Sequence, residues 1–264
     1  MDRGRTTIIG AVGAAALLAA ASSANATLVS FASDDDSNFP TFNGTSGSSG
    51  TFLIRNGRVP ASTPVTLRVD DNNGAVPTAS VPVGMLVNLT ASYVTSTPFG
   101  TEWNHVYAIT GSYSFVHPVS GATLLSVQIA PGAASMNIIG SPSSWGSAGS
   151  ITGSDVAAGS ASGVDYTNAG LAAYMTSLGF DPNQYGLGFT TFVLEDFAFT
   201  MTSIAADGGS VALNVGHLPT TSWISEASHS GRAFEIPTPG AAAAAGVFGL
   251  MTGVRRRRKA LPRS

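Results

Sequence analysis

The feature that most constrains this chain is a two-residue rhythm of apolar and polar side chains that recurs through its middle two hundred residues. Val65, Leu67 and Val69 alternate with Thr66, Arg68 and Asp70, and Val87, Leu89, Ala91 and Tyr93 with Asn88, Thr90 and Ser92. The same rhythm runs through Leu125, Val127 and Ile129, through Phe197, Phe199 and Met201, and through Val211, Leu213 and Val215. Successive side chains on a strand point to opposite faces, so each segment reads as a strand with one face on a core and one toward water. The longest run, Glu102 to Val116, puts Trp103, His105, Tyr107, Ile109, Tyr113 and Phe115 on one face, with Gly111 marking a bulge or bend. An inward core face is the expectation; an exposed aromatic platform for a glycan is the alternative.

One segment has helical spacing instead. Leu171, Tyr174, Met175 and Leu178 form an apolar stripe, which Asn168 can cap and Gly179 can close. Loops rich in Gly, Ser, Asn and Pro cover residues 43–50, 70–83 and 141–163, the last with room for a strand around Ile151. The expected fold is mostly β: an antiparallel sandwich with one short helix and the jelly roll as a candidate topology. Three parts follow: residues 1–26, a sandwich domain over 27–235, and a C-terminal segment 236–264.

The two ends differ from the body. Arg3 and Arg5 precede an apolar run from Ile8 to Ala21, and Ala24-Asn25-Ala26 then supplies the small-x-small pattern of a signal peptidase site. The pattern predicts a helical signal peptide, the general secretion machinery and signal peptidase as partners, and cleavage between Ala26 and Thr27. At the other end stand Pro237-Thr238-Pro239-Gly240, an apolar stretch to Val254, and the cations Arg255, Arg256, Arg257, Arg258 and Lys259. As a helix, residues 240–254 would span about 22 Å at 1.5 Å per residue, short of the roughly 30 Å hydrocarbon core. The five cations hold the far end in the cytoplasm.

This tail resembles the PEP-CTERM sorting signal of bacterial exported proteins, with Thr238 in place of the usual glutamate. The resemblance covers the tail alone. It implies processing by a membrane enzyme of the exosortase type, contact with the membrane through a transient or permanent C-terminal helix, and display at the cell surface or beyond.

Charge and motifs narrow the body's function. Between the ends stand fourteen acids and four arginines, a net of −10 with no lysine, so a nucleic-acid partner is not expected. No cysteine is present, which excludes disulfides and thiolate chemistry. His105, His117, His217 and His229 lack the spacing of a helical zinc site, and residues 44–50 lack the order of a serine-hydrolase elbow. Glu195 and Asp196 are adjacent, so on a strand they point apart and cannot flank a sugar bond together. Asp34-Asp35-Asp36 and Asp70-Asp71-Asn72-Asn73 are the oxygen-rich runs on which calcium is a candidate; no other cofactor or metal is expected. The reading is therefore a non-catalytic structural protein of the bacterial surface or extracellular matrix. Its alternative is a lectin-like, carbohydrate-binding module meeting extracellular polysaccharide through Trp103, Tyr107, Tyr113, Trp145 and Trp223. Export predicts that the mature protein begins at Thr27; amino-terminal sequencing of extracellular material checks this, and a start at Met1 defeats the argument.

Overall fold

A computed structural model describes residues 26–32, 40–58, 60–71, 74–154, 163–187 and 194–234, all within one compact unit, Asn25–Glu235. The strands are β1 (Ala26–Phe31), β2 (Phe42–Gly44), β3 (Thr51–Asn56), β4 (Thr63–Asp70), β5 (Ala79–Phe99) and β6 (Glu102–Val116). They continue as β7 (Thr123–Ser141), β8 (Ser144–Ser154), β9 (Val164–Asn168), β10 (Leu194–Ala206) and β11 (Trp223–Phe234). Helix α1 (Leu171–Ser177) and a 3-10 turn (Pro182–Tyr185) lie between β9 and β10. Every strand pairing is antiparallel.

Three pairs of short strands each run in line along one longer neighbour. Along β11, Ala26 of β1 faces Phe234 and Phe31 faces His229, then Phe42 of β2 faces Ser225 and Gly44 faces Trp223. Along β5, Thr51 of β3 faces Ser92, and Val69 of β4 faces Ala79. Along β7, Gly153 of β8 faces Ala134, and Val164 of β9 faces Ile129. Counted as interrupted single strands, these pairs leave eight strands. Each lies beside its chain neighbour, and β11 closes on β1 and β2, so the sheet is a ring. That is a meander; the Greek-key connections of a jelly roll are not found.

Side chains patch the interruptions. Opposite Ala227, between β1 and β2, the Thr41 hydroxyl accepts from the Ala227 amide at 2.9 Å and reaches its carbonyl at 3.4 Å. Between β3 and β4 the buried Asn56 amide donates to the Arg58 and Ala61 carbonyls. A hydroxyl or amide placed there keeps buried backbone groups paired where the ladder stops.

The alternating residues point where the sequence predicts. Leu67, Val69, Val87, Leu89, Leu125, Val127, Phe197, Phe199, Val211 and Leu213 are buried, with Val65 partly so. Eight strands enclose just enough room for side chains, and here aromatic rings fill it. Phe52 meets Tyr107, Trp145 and Trp223 with ring centres 5.2, 5.5 and 6.3 Å apart. A second cluster joins Phe31, Tyr113, Phe115, Phe199 and His229. Glycine makes space beneath the largest ring: a Cβ on Gly44 would overlap the Trp223 indole. The outer face carries short polar groups such as Asn88, Ser112, Ser150, Thr152, Thr200 and Ser228. A membrane barrel has the opposite pattern, apolar outside and polar within. Among the described residues, no helix is long and apolar enough to cross a membrane.

Phase changes occur at defined irregularities. Gly111 has φ +118° and its Cβ would strike the Asn88 carbonyl, so glycine is required where the β6–β7 register shifts, as its place in the sequence suggests. Val94 is the extra residue in β5, between Tyr93 and Thr95, and is left exposed.

Both ends of the ring are covered. At one, α1 and the turn after it bury Leu171, Met175, Tyr185 and Leu187, while the Tyr174 and Tyr185 hydroxyls donate to the Pro82 and Pro77 carbonyls. The N-cap of α1 is Gly170 and not the expected Asn168, whose side chain accepts the Leu171 amide at 3.1 Å from just upstream, while Gly179 follows the helix with φ +88° as expected. At the other end lies the β10–β11 connection, residues 207–222. One sequence expectation fails here. Val211 to Val215 is not a strand: Val211 and Leu213 are buried in this plug and Val215 is fully exposed. The stretch 141–163 does hold the strand expected around Ile151, as β8, which takes up eleven of its residues. Its glycines hid the pattern by leaving inward positions without side chains under Phe197 and Met201.

Replacing Phe52 with Ala should cost on the order of 3–5 kcal/mol, whereas Leu86→Ala on the outer wall should change little. Urea unfolding of both variants is the check; equal effects contradict an interior built on the aromatic pile.

Candidate functional site

Most of the residues singled out for sorting lie outside the described residues: Ala24, Pro237, Thr238, Pro239, Gly240, Arg255, Arg256, Arg257, Arg258 and Lys259. Ala26 and Thr27 open β1, with their backbones opposite Phe234 and Ala233. Of the five rings considered for a glycan platform, Tyr107, Tyr113, Trp145 and Trp223 are buried, and Trp103 is half-buried. Four of them build the interior and offer no exposed platform.

The acidic candidates also resolve into local roles. Glu195 is buried, while Asp196 points outward to Arg232 at 2.7 Å, so the two neighbours face opposite ways as expected. The Asp71 carboxylate accepts the Gly74 and Ala75 amides at 3.0 and 3.1 Å, and Asp70 accepts the Thr78 hydroxyl at 2.7 Å. These oxygens hold a turn together. Asp34 to Asp36 lie outside the described residues.

Polar chemistry instead collects at the mouth plugged by residues 207–222. The bulge at Val94 shifts the phase of β5, so Ser96 faces His105 across the β5–β6 ladder. The Ser96 hydroxyl lies 2.7 Å from His105 Nδ1, and His105 Nε2 lies 2.8 Å from the Ser141 carbonyl. A carbonyl can only accept, so Nε2 carries the proton and Nδ1 accepts from Ser96. His105 is fully buried, and burial lowers its pKa; the Ser141 carbonyl opposes that shift and His217 adds to it. The imidazole is therefore neutral at neutral pH.

His217 comes from the plug. The Asn214 side chain accepts from the Gly216 and Leu218 amides, and that tight turn leaves His217 at φ +56°. A non-glycine residue there is strained by about 1 kcal/mol or more, and needs fixing by its surroundings. Tyr107 provides this, donating to the His217 carbonyl at 2.6 Å while accepting from Trp145 Nε1 at 2.9 Å. The His217 ring stacks on Tyr93 at 5.0 Å and stands 5.8 Å from the His105 ring. Its Nδ1 is buried and has no hydrogen-bond partner.

Chemically, Ser96, His105 and the Ser141 carbonyl have the order of hydroxyl, base and orienting group. A neutral carbonyl supports an imidazolium far less than a carboxylate does, so the set is a weak engine for acyl transfer. Among the described residues, no three of His, Cys, Asp and Glu converge on a common point. His105 and His217 stand out in the sequence as histidines, but nothing there brings them together, because their proximity depends on a bulge and a left-handed residue.

A second polar group lies deep in the ring. The Tyr113 hydroxyl bridges His229 Nε2 at 2.9 Å and the Tyr166 hydroxyl at 3.2 Å, and Tyr166 donates to the Asp196 carbonyl at 3.1 Å. Burial lowers the His229 pKa to about 3.

No protein-family model, no curated protein and no solved structure matches the chain.

His229 is neutral in the fold and titrates near 6.5 when unfolded, so the unfolded chain binds more protons between these values. Stability should then fall as pH drops from 6.5 toward 3, by up to about 1.4 kcal/mol per pH unit. Urea unfolding across that range should show the slope in the parent chain and a shallower one in His229→Gln; identical slopes would remove His229 as the cause.

Proposed function

We propose that this chain is an exported structural protein of the bacterial cell surface or extracellular matrix, non-catalytic and sorted through its C-terminal tail. The observation that carries this reading is a closed ring with aromatic rings inside, short polar groups outside and both ends covered. Such a body withstands water without disulfides and has no open sheet edge to pair indiscriminately. The same reading takes the ring to be flattened into two packed layers, a sandwich. Cross-ring contacts such as Phe52 to Trp145 and Phe31 to Phe115 favour it, because the interior is then about two side chains thick.

The ends of the ring bear on the sorting proposal. Ala26 and Phe234 are paired, so the described body begins and ends on one seam. The proposed signal peptidase and exosortase-type cuts both fall in sequence just outside that pair. Carbohydrate binding, the second reading, has lost four of its five rings to the core and keeps Trp103 on the β6 rim.

The experiment is the mass of the mature protein in its native host. Loss of everything after about Pro239 is expected, and replacing Pro237 and Pro239 should leave the protein at the inner membrane. Surface-displayed protein ending at Ser264 would make the tail a plain anchor.

A further inference from the structure

We propose that the plugged mouth of the ring is a binding site for one divalent transition-metal ion, held between the imidazoles of His105 and His217. The first argument is the preparation of His105. A metal-binding histidine characteristically donates its other ring N–H to a carbonyl or carboxylate, which fixes the tautomer and turns the lone pair toward the ion. His105 has this arrangement: Nε2–H is on the Ser141 carbonyl at 2.8 Å, which leaves the Nδ1 lone pair as the ligand, and the group it meets is the Ser96 hydroxyl at 2.7 Å, which a metal ion would displace.

The second argument is an unused nitrogen on the neighbouring ring. His217 Nδ1 is buried without a hydrogen-bond partner, which costs about 1–3 kcal/mol for a polar group unless something fills the role. The residue is also held in the left-handed region, φ +56°, by the Asn214 turn and the Tyr107 hydroxyl, while Tyr93 stacks on its ring. Two independent restraints thus keep a strained residue with its ring beside His105, although neither restraint uses the ring's nitrogens.

The third argument is distance. A nitrogen bound at about 2.0–2.1 Å puts each imidazole centre about 3.2 Å from the ion, so two rings on one ion stand about 5–6 Å apart over tetrahedral and somewhat wider angles. The His105 and His217 centres are 5.8 Å apart, with the rings tilted by 41°. Imidazole nitrogen selects zinc, copper or nickel over calcium and magnesium. Metal binding breaks the Ser96 hydrogen bond to His105 Nδ1, and water completes the coordination. With only two strong protein ligands, the site is a moderate-affinity one that exchanges its metal.

The test uses the mature, untagged protein titrated with zinc(II) and copper(II) by calorimetry. One saturable equivalent is expected, and His217→Asn should weaken it at least about tenfold. Asparagine tolerates the left-handed conformation, so the plug keeps its backbone in that variant. Circular dichroism and an unchanged unfolding midpoint without metal confirm that it folds. His117→Ala, which alters the histidine beside Tyr174 at the α1 end, should bind as the parent does. Absence of a saturable equivalent overturns the proposal, as does binding unchanged in His217→Asn or lost in His117→Ala.

Discussion

The pairing of the first strand with the last is the constraint on which the remaining structure depends. β1 lies between β4 and β11, and its side chains Val29 and Phe31 enter the interior there. Without that seam the ring becomes an open sheet with two long edges and an aromatic interior exposed along one side. No disulfide secures it, since the chain has no cysteine. Closure therefore rests on the ladder and on rings that cross from one wall to another, with Phe31 meeting Phe115 on β6 and Phe199 on β10. The seam joins residues some two hundred positions apart, so its loop-closure entropy is met only when β11 is complete.

The interior illustrates how a ring this full accommodates polar groups. Aromatic pairs meet mostly edge to face, the arrangement that their quadrupoles favour. Where a heteroatom falls inside, a neighbour often meets it: Tyr107 accepts the Trp145 N–H and donates its own O–H to the His217 carbonyl, and Tyr113 spans His229 and Tyr166. These bonds couple the wall strands to the plug, because the Tyr107 hydroxyl is on β6 and its acceptor lies in residues 207–222. Glycine permits this density. Gly44 beneath Trp223, Gly153 beneath Phe197 and Gly231 beneath Tyr166 are places where any side chain would displace a ring.

Much of this fold was legible as rhythm. The runs at Val65–Val69, Val87–Tyr93, Leu125–Ile129 and Phe197–Met201 became strands with the expected faces inward, and the stripe at Leu171 and Met175 became α1. What was hidden shares a physical cause. β8 was masked because glycines occupy inward positions, so no apolar residue marks the rhythm at Gly149 and Gly153. Val211 and Leu213 were misassigned because two buried residues with polar neighbours look alike in a strand and in a plug. Ring closure cannot be read from any single segment, since it depends on which edges meet. The mouth was least visible: Ser96 reaches His105 only through the Val94 bulge, and His217 reaches it only through a left-handed turn.

The arrangement of the two ends gives the molecule a polarity. Ala26 and Phe234 face one another at the α1 end, whereas Ser96, His105 and His217 lie at the other, beneath residues 207–222. The strands β5 and β6 cross the full length between these ends, so the Ala26–Phe234 pair is separated from the mouth by the length of the ring. The exposed Phe99 at the β5–β6 tip belongs to the pole opposite that pair. The described seam ends at Phe234, so the proposed processing after Pro239 would leave every residue of the β1–β11 ladder in the chain.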